Sequence, residues 1–511
     1  MKNKGKNNKR IVKNVGLLYF RMLFTMVISL NTSRVVLQAL GVEDYGIYNV
    51  VAGFVTMIGF LHGAMASATQ RFLSYEIGKT DHKDVQGIFS MSLNIHILIG
   101  LFIFLLGETI GIWFLKNYLT IPTGRMDAAV VVLHFSLLSF VISIISVPFN
   151  ALIISYEKMN IFAWVSILDA MLKLAVVFML SWFGTDKLSL YSILNLATVC
   201  IISLIYYIYC RLSYPDSRYK YYWNKSLFNT MLSYTGWNLW GNIAAILSSQ
   251  GVNILLNIFF GPSVNAARGV AIQVSGALNR FVSNVQVAVN PQIIKSYASN
   301  DYSYMHQLIC SGSKYNFYIL LVLMVPVLNN LDLILSTWLH TVPQNTSIFI
   351  KLILYNMLIN SLGLPLMTAA QATGKIKKYQ VIVGGVLLLN LPLSYVTLKN
   401  GGQPYTVFYI AIGLSLFAHI IRVILVSELI QLKASLYIKS TILPLLVVST
   451  IVSISNTLFA MQPPSSIMGF AFSVITSILI VFFTILVFGL NKQERNFLIN
   501  LAFKVKGMIR S

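Results

Sequence analysis

Residues 128–154 read AAVVVLHFSLLSFVISIISVPFNALII, an apolar stretch that contains no Asp, Glu, Lys or Arg. A bilayer core about 30 Å thick needs roughly 20 such residues for each helix that crosses it. Fourteen apolar stretches of this kind follow one another along the 511 residues. Composition agrees, because 57% of the residues are hydrophobic and 10% are charged. The sequence therefore predicts an all-α polytopic membrane protein with 14 transmembrane helices.

These spans leave little chain for anything else. No loop is long enough to form a catalytic domain, and no Walker A pattern accompanies the Gly-Lys pairs at 78–79 and 374–375. We therefore expect a protein that is not an enzyme and that needs no cofactor and no metal ion. The predicted spans are 14–38, 46–70, 86–114, 128–154, 161–183, 191–210, 229–260, 267–294, 315–338, 347–372, 380–398, 405–430, 440–460 and 467–489.

Basic residues are concentrated in the two tails and in every second connection. Most of the 37 lysines and arginines fall on this one side of the predicted membrane. Positive residues stay in the cytoplasm, so we predict a multi-pass protein of the cytoplasmic (inner) membrane with both termini inside. The net charge of +22 is then a topology signal and a contact with membrane lipids. We expect no nucleic-acid partner.

The chain contains an internal repeat with an offset of about 220 residues. The segment Thr69-Gln-Arg-Phe-Leu-Ser-Tyr75 corresponds to Pro291-Gln-Ile-Ile-Lys-Ser-Tyr297. Two parallel six-helix repeats follow, and repeats of this type enclose a substrate site. The predicted organisation is an N-lobe with helices 1–6 (1–216), a C-lobe with helices 7–12 (217–430), and helices 13–14 with a basic cytoplasmic tail (431–511).

The fourteen helices and the turn Leu40-Gly41…Tyr45-Gly46 resemble the multidrug/oligosaccharidyl-lipid/polysaccharide (MOP) exporter superfamily. The stretches Asn290–Tyr297 and Thr69–Phe72 look like its polysaccharide-transport branch, the Wzx-type O-antigen flippases. The resemblance implies a V-shaped, MATE-like transporter fold with a cavity that opens to each side in turn. It also implies a polyprenyl (undecaprenyl)-diphosphate-linked oligosaccharide as the substrate, flipped for surface polysaccharide and lipopolysaccharide biosynthesis. Polysaccharide polymerase machinery is then a possible partner.

Polar residues within the spans mark the candidate binding surfaces, because ionisable groups inside a membrane usually face water or a partner. In helix 8, Gln273, Arg280 and Asn284 share one helical face, and that helix offers Arg280 no acid. Either a neighbouring helix supplies a carboxylate or Arg280 binds the substrate diphosphate, which a guanidinium grips bidentately.

A stripe of polar residues in helix 7 is the second candidate surface. It could line a sugar-binding cavity or supply hydrogen bonds between helices. Its members are Asn238, Asn242, Ser249 and Asn253.

Three further sets of polar residues carry open alternatives. Arg21 and Arg34 in helix 1 either contact the diphosphate or extend to the interface. Asp169 and Lys173 either neutralise each other at i,i+4 or form an ion-coupling site. Ser415, His419 and Arg422 share a face of helix 12, where Arg422 either reaches the interface or meets substrate.

Basic residues outnumber acids within the spans, which favours an anionic headgroup as the substrate. The alternative is a MATE-like H⁺/Na⁺-coupled drug antiporter, whose cavity would be expected to present acids. A membrane enzyme, such as a polymerase or acyltransferase, is the alternative from a different class.

Overall fold

The structure is a computed structural model. It describes residues 14–29, 32, 35–36, 39–41, 44, 47–48, 51, 55, 59–79, 84–118, 121–180, 186–260, 262–339, 342–458, 467–492 and 494–496. Long helices account for most of these residues, and no strand occurs among them. The predicted all-α class is therefore confirmed.

The helices follow one another with short connections. Three π-helical turns (Gly107–Gly111, Ile438–Ile442 and Ile485–Gly489) join or extend them. The helices are α1 Asn14–Ser29, α2 Gly59–Gly78, α3 Val85–Leu106, α4 Ile112–Tyr118, α5 Met126–Ser155, α6 Met159–Met179, α7 Lys187–Ser213, α8 Lys225–Phe260, α9 Pro262–Ala298, α10 Tyr302–Asn329, α11 Leu331–Trp338, α12 Thr346–Thr373, α13 Lys377–Leu388, α14 Asn390–Lys399, α15 Thr406–Ile430, α16 Ala434–Tyr437, α17 Leu443–Leu458 and α18 Ile467–Thr484.

Eleven helical segments in the described ranges are long and apolar enough to cross a membrane. They coincide with eleven of the predicted spans. The other three predicted spans overlap α1, α2 and α9, of which α1 is too short for the same criterion. Helix α9, which covers the predicted span 267–294, has 37 residues and is long enough to cross a bilayer. The predicted count of fourteen is therefore compatible with the structure.

Some helix boundaries differ from the predicted spans. Helix α2 continues to Gly78 rather than ending at 70, and α10 begins at Tyr302 rather than at 315. The reason is physical: hydropathy marks the part of a helix that lies in hydrocarbon. Backbone hydrogen bonding continues through the polar turns beyond that part.

Large apolar side chains cover the exposed faces of the long helices. On α18, Met468, Phe472, Leu479 and Phe483 are all exposed. Such a continuous apolar surface requires a nonaqueous surrounding, and the length of the helices fits a bilayer. The chain is a multi-pass membrane protein.

Contacts divide the chain into two compact units. Unit 1 comprises Met1–Ile243, Val287–Asp301 and Gly374–Gln380, and unit 2 comprises Ala244–Gln286, Tyr302–Thr373 and Val381–Ser511. Each has its own apolar core, in which α3 and α5 pack in unit 1 and α10, α12 and α15 pack in unit 2. The predicted division at 216 and 430 stays a prediction.

Candidate substrate-binding site

One exposed face of α9 carries polar and small residues. Gln273, Gly276, Arg280 and Ser283 recur at helical spacing, and all four are exposed. On a helix in contact with lipid, large apolar residues occupy such positions, as they do on α18. Hydrocarbon cannot hydrogen-bond a guanidinium or an amide, so a face of this composition needs water or a polar ligand.

Arg280 is the charged residue of this face. Within the described part of the chain, its guanidinium makes no hydrogen bond and no ion pair. The described structure therefore shows no neighbouring carboxylate that neutralises Arg280. Of its two predicted companions, Gln273 shares the exposed face, whereas Asn284 is buried.

Arg268 lies near the N-terminal end of α9 and was not among the predicted site residues. Its side chain is 6% exposed, and Nη2 donates to the Ser249 carbonyl oxygen at 2.8 Å and to Ser249 Oγ at 3.1 Å. Its Nε is buried without a hydrogen-bond partner. The available signal was a basic residue just inside the span predicted for 267–294. Its burial follows from packing, which the sequence does not display.

The helix 7 stripe lies on α8, where most of its members bind other protein groups. Asn238 is buried, and its Oδ1 accepts from Gln380 Nε2 at 3.3 Å. Asn265 Nδ2 donates to the carbonyl oxygen and to Oδ1 of Asn253, at 2.8 Å each. For Asn238 and Asn253, the structure therefore shows hydrogen bonds between helices, which was one of the two alternatives.

Two members of the stripe differ from this pattern. Ser249 is exposed and accepts from Arg268, and Asn242 is half-buried. The part of α8 that remains open to a ligand is therefore smaller than the predicted stripe.

In unit 1, Arg21 is half-buried, and its guanidinium carbon lies 4.7 Å from the centre of the Phe162 ring. Its Nη1 is 3.5 Å from Ser166 Oγ. Arg34 lies outside the described residues. Asp169 and Lys173 pair with each other at 2.8 Å, with 31% and 47% of their side chains exposed. This i,i+4 pair corresponds to the alternative in which Asp169 and Lys173 neutralise each other.

The two matching sequence segments meet in space. The rings of Tyr75 and Tyr297, equivalent residues of the two segments, have centroids 6.2 Å apart. A Cβ added to Gly78 would lie 2.7 Å from Cα of Lys295, so the two helix ends touch backbone to backbone. Glycine is required at this point of contact.

A carboxylate from the α5–α6 connection holds the same junction together. The Glu157 side chain is 1% exposed and pairs with Lys295 Nζ at 2.6 Å, and it also accepts from Gln292 Nε2. Its backbone is left-handed, with φ of 61°, which directs the connection toward α9. We call Tyr75, Gly78, Glu157, Lys295 and Tyr297 the motif junction.

Solved structures share this architecture. An outward-facing multidrug-resistance MATE transporter of the MOP superfamily matches with a TM-score of 0.72 and 13% identity, over 83% of this chain and 96% of its own. A MATE in a bent conformation also gives 0.72, at 14% identity, over 86% and 98%. The chain has a MATE-type fold.

A MOP superfamily transporter from Pyrococcus furiosus has the same MATE-type fold, with a TM-score of 0.69 and 12% identity over 82% of this chain and 96% of its own. It is described as having a binding pocket of reversed polarity that suggests a different function. No family model and no curated protein matches the sequence. At such low identity, the similarity establishes the fold and not the substrate.

Proposed function

We propose that this protein moves an anionic lipid-linked glycan, of the polyprenyl-diphosphate oligosaccharide class, from the cytoplasmic to the outer leaflet. The observation that carries the proposal is Arg280, a guanidinium on an exposed polar face of a long helix, without a carboxylate partner in the described chain. A guanidinium in that position matches the planar, bidentate hydrogen bonding that a phosphate offers.

The charges of unit 2 support an anionic substrate. Its acids are Asp332, Glu428 and Glu494. Arg268 and Arg280 both lie in its helices, and neither forms an ion pair with a described residue. A surface that attracts cations would be expected to show the opposite balance, because the field of a cleft follows the charges that line it.

The MATE-type fold is compatible with this substrate as well as with a drug. Similar structures include a multidrug-resistance transporter and a protein described as having a pocket of reversed polarity. The fold therefore accepts binding surfaces of different charge, and the side chains select the substrate. A lipid tail would remain in the bilayer, in contact with the apolar outer surface.

The test begins with deletion of the gene and analysis of lipid-linked glycans in each leaflet. A strain lacking the flippase accumulates complete units in the cytoplasmic leaflet, whereas loss of a polymerase leaves single units in the outer leaflet. Accumulation of neither, together with gain of sensitivity to cationic dyes, would instead identify a drug antiporter.

The residue-level test is complementation by Arg280→Ala, Arg280→Lys and Arg211→Ala. Arg211 is an exposed arginine at the end of α7 and serves as the matched control. Two charge-assisted hydrogen bonds contribute roughly 3 kcal/mol or more, so Arg280→Ala should lower export at least 100-fold at equal membrane abundance. Arg280→Lys should restore part of it. Full export by Arg280→Ala would contradict the assignment.

A further inference from the structure

Unit 2 also buries two basic side chains on α15. His419 and Arg422 are one turn apart near the middle of α15, where their side chains are 8% and 9% exposed. Interface snorkelling, the sequence alternative for Arg422, does not occur, because the guanidinium is enclosed by protein. A buried charge of this kind is costly unless something pairs with it.

Four nitrogens of the two residues have no hydrogen-bond partner in the described protein. Nε and Nη1 of Arg422 and both ring nitrogens of His419 are buried without a hydrogen-bond partner. No ion pair joins Arg422 to an acid of the described chain, and two of the acids of unit 2 have other partners: Glu494 binds Lys314, and Asp332 accepts from Ser347. A protein that buries four unsatisfied nitrogens around a positive charge loses several kcal/mol.

The surroundings fix the position of the guanidinium. A Cβ added to Gly363 of α12 would lie 2.7 Å from Arg422 Nη1 and 3.1 Å from its Cδ, so the side chain lies directly against bare backbone. The Tyr437 ring centroid is 6.0 Å from that of His419, and the Tyr437 hydroxyl donates to the Leu362 carbonyl oxygen at 3.4 Å. These contacts leave the N–H groups at Nε and Nη1 of Arg422, together with the single N–H group of a neutral His419 ring, as unused donors.

We infer that His419 and Arg422 bind a small inorganic anion of the halide class between α12 and α15. Guanidinium and imidazole N–H groups are donors, and the anion supplies the charge that no carboxylate supplies. A halide is satisfied by the few donors present. A tetrahedral oxyanion requires more donors than this part of the helices offers, since the mid-helix N–H groups already bond within their own helices. The site is independent of the glycan proposal.

The test uses the full-length protein in detergent, with gluconate replaced by chloride at constant ionic strength. A ligand that binds the folded state raises Tm as its concentration exceeds Kd. The wild type should show a saturable rise in Tm with chloride, and Arg422→Gln should show none. Arg211→Gln, which removes an exposed arginine, should respond like the wild type. A response retained in Arg422→Gln, or absent from the wild type, would overturn the site.

Gly363→Ala tests the same site without removing a charge. The added methyl group must displace the guanidinium, so the apparent chloride affinity should fall at least tenfold; an unchanged affinity would argue against the site. This variant, together with bromide, keeps the inference testable where Arg422→Gln does not fold.

Bromide locates the anion directly. Crystals exchanged into bromide should show an anomalous peak within hydrogen-bonding distance of an Arg422 nitrogen. A map with water or no density there would refute the proposal. Inorganic phosphate should not displace bromide; displacement at lower concentration than chloride would overturn the assignment to a halide.

Discussion

The ion pair in the motif junction provides a quantitative prediction. Replacing Glu157 by Gln keeps the shape of the side chain and an acceptor for Gln292, and it removes the charge that faces Lys295. The Glu157 side chain is 1% exposed and that of Lys295 is 19% exposed. Breaking a buried pair costs about 3–5 kcal/mol. We take the lower end, about 3 kcal/mol, because the ammonium can still reach water.

The assay is amide hydrogen exchange of residues 291–298, the end of α9 that the junction holds. Exchange in the native state reports the free energy of local opening. A loss of about 3 kcal/mol corresponds to roughly 100-fold faster exchange, since 1.4 kcal/mol is tenfold.

Asp169→Asn is the matched control, because it breaks an ion pair that is substantially exposed. An exposed pair contributes about 1 kcal/mol or less, and the pair is not part of the junction, so exchange at 291–298 should stay unchanged. Exchange in Glu157→Gln within threefold of the wild type, in a protein that remains folded, would refute the reasoning.

Three further predictions follow from two glycines and from the carboxylate at the start of α7. Gly78→Val should separate the helix ends at Lys295 and speed the same exchange, because backbone cannot give way to a Cβ at 2.7 Å; normal protection would contradict it. Gly374→Ala should lower Tm, since φ of +77° is strained for alanine by about 1 kcal/mol; an unchanged Tm would contradict it. Burial alone would raise the pKa of Asp186, but hydrogen bonds from Ser189 and Arg125 lower it below its ordinary value. The folded state therefore binds fewer protons, and this stabilisation is present above the unfolded pKa of about 3.9 and lost as pH falls through the folded value. In Tm measurements between pH 5 and 2, the wild type should lose more than Asp186→Asn, and parallel curves would contradict it.

The sequence predicted the membrane class and the positions of the spans because apolar length is a local property. Residues 128–154 required a membrane helix in any arrangement, and the structure places α5 at Met126–Ser155. The correspondence between Tyr75 and Tyr297 was also visible in the sequence. That the two rings touch was not, because the contact joins segments about 220 residues apart.

The sequence could place residues on a helix face, and it could not decide what that face meets. Asn238 and Gln273 were equal candidates by periodicity, yet one bonds to Gln380 inside unit 1 and the other is exposed. Arg268 was not singled out in the sequence, and for Arg422 the sequence left open whether it reaches the interface or meets substrate. Helix packing buried both without an acid, since the cost of a buried charge depends on neighbours from distant parts of the chain. Local hydropathy thus determined where the helices lie. Tertiary packing decided which of their charged side chains have no partner within the protein and are available to a ligand.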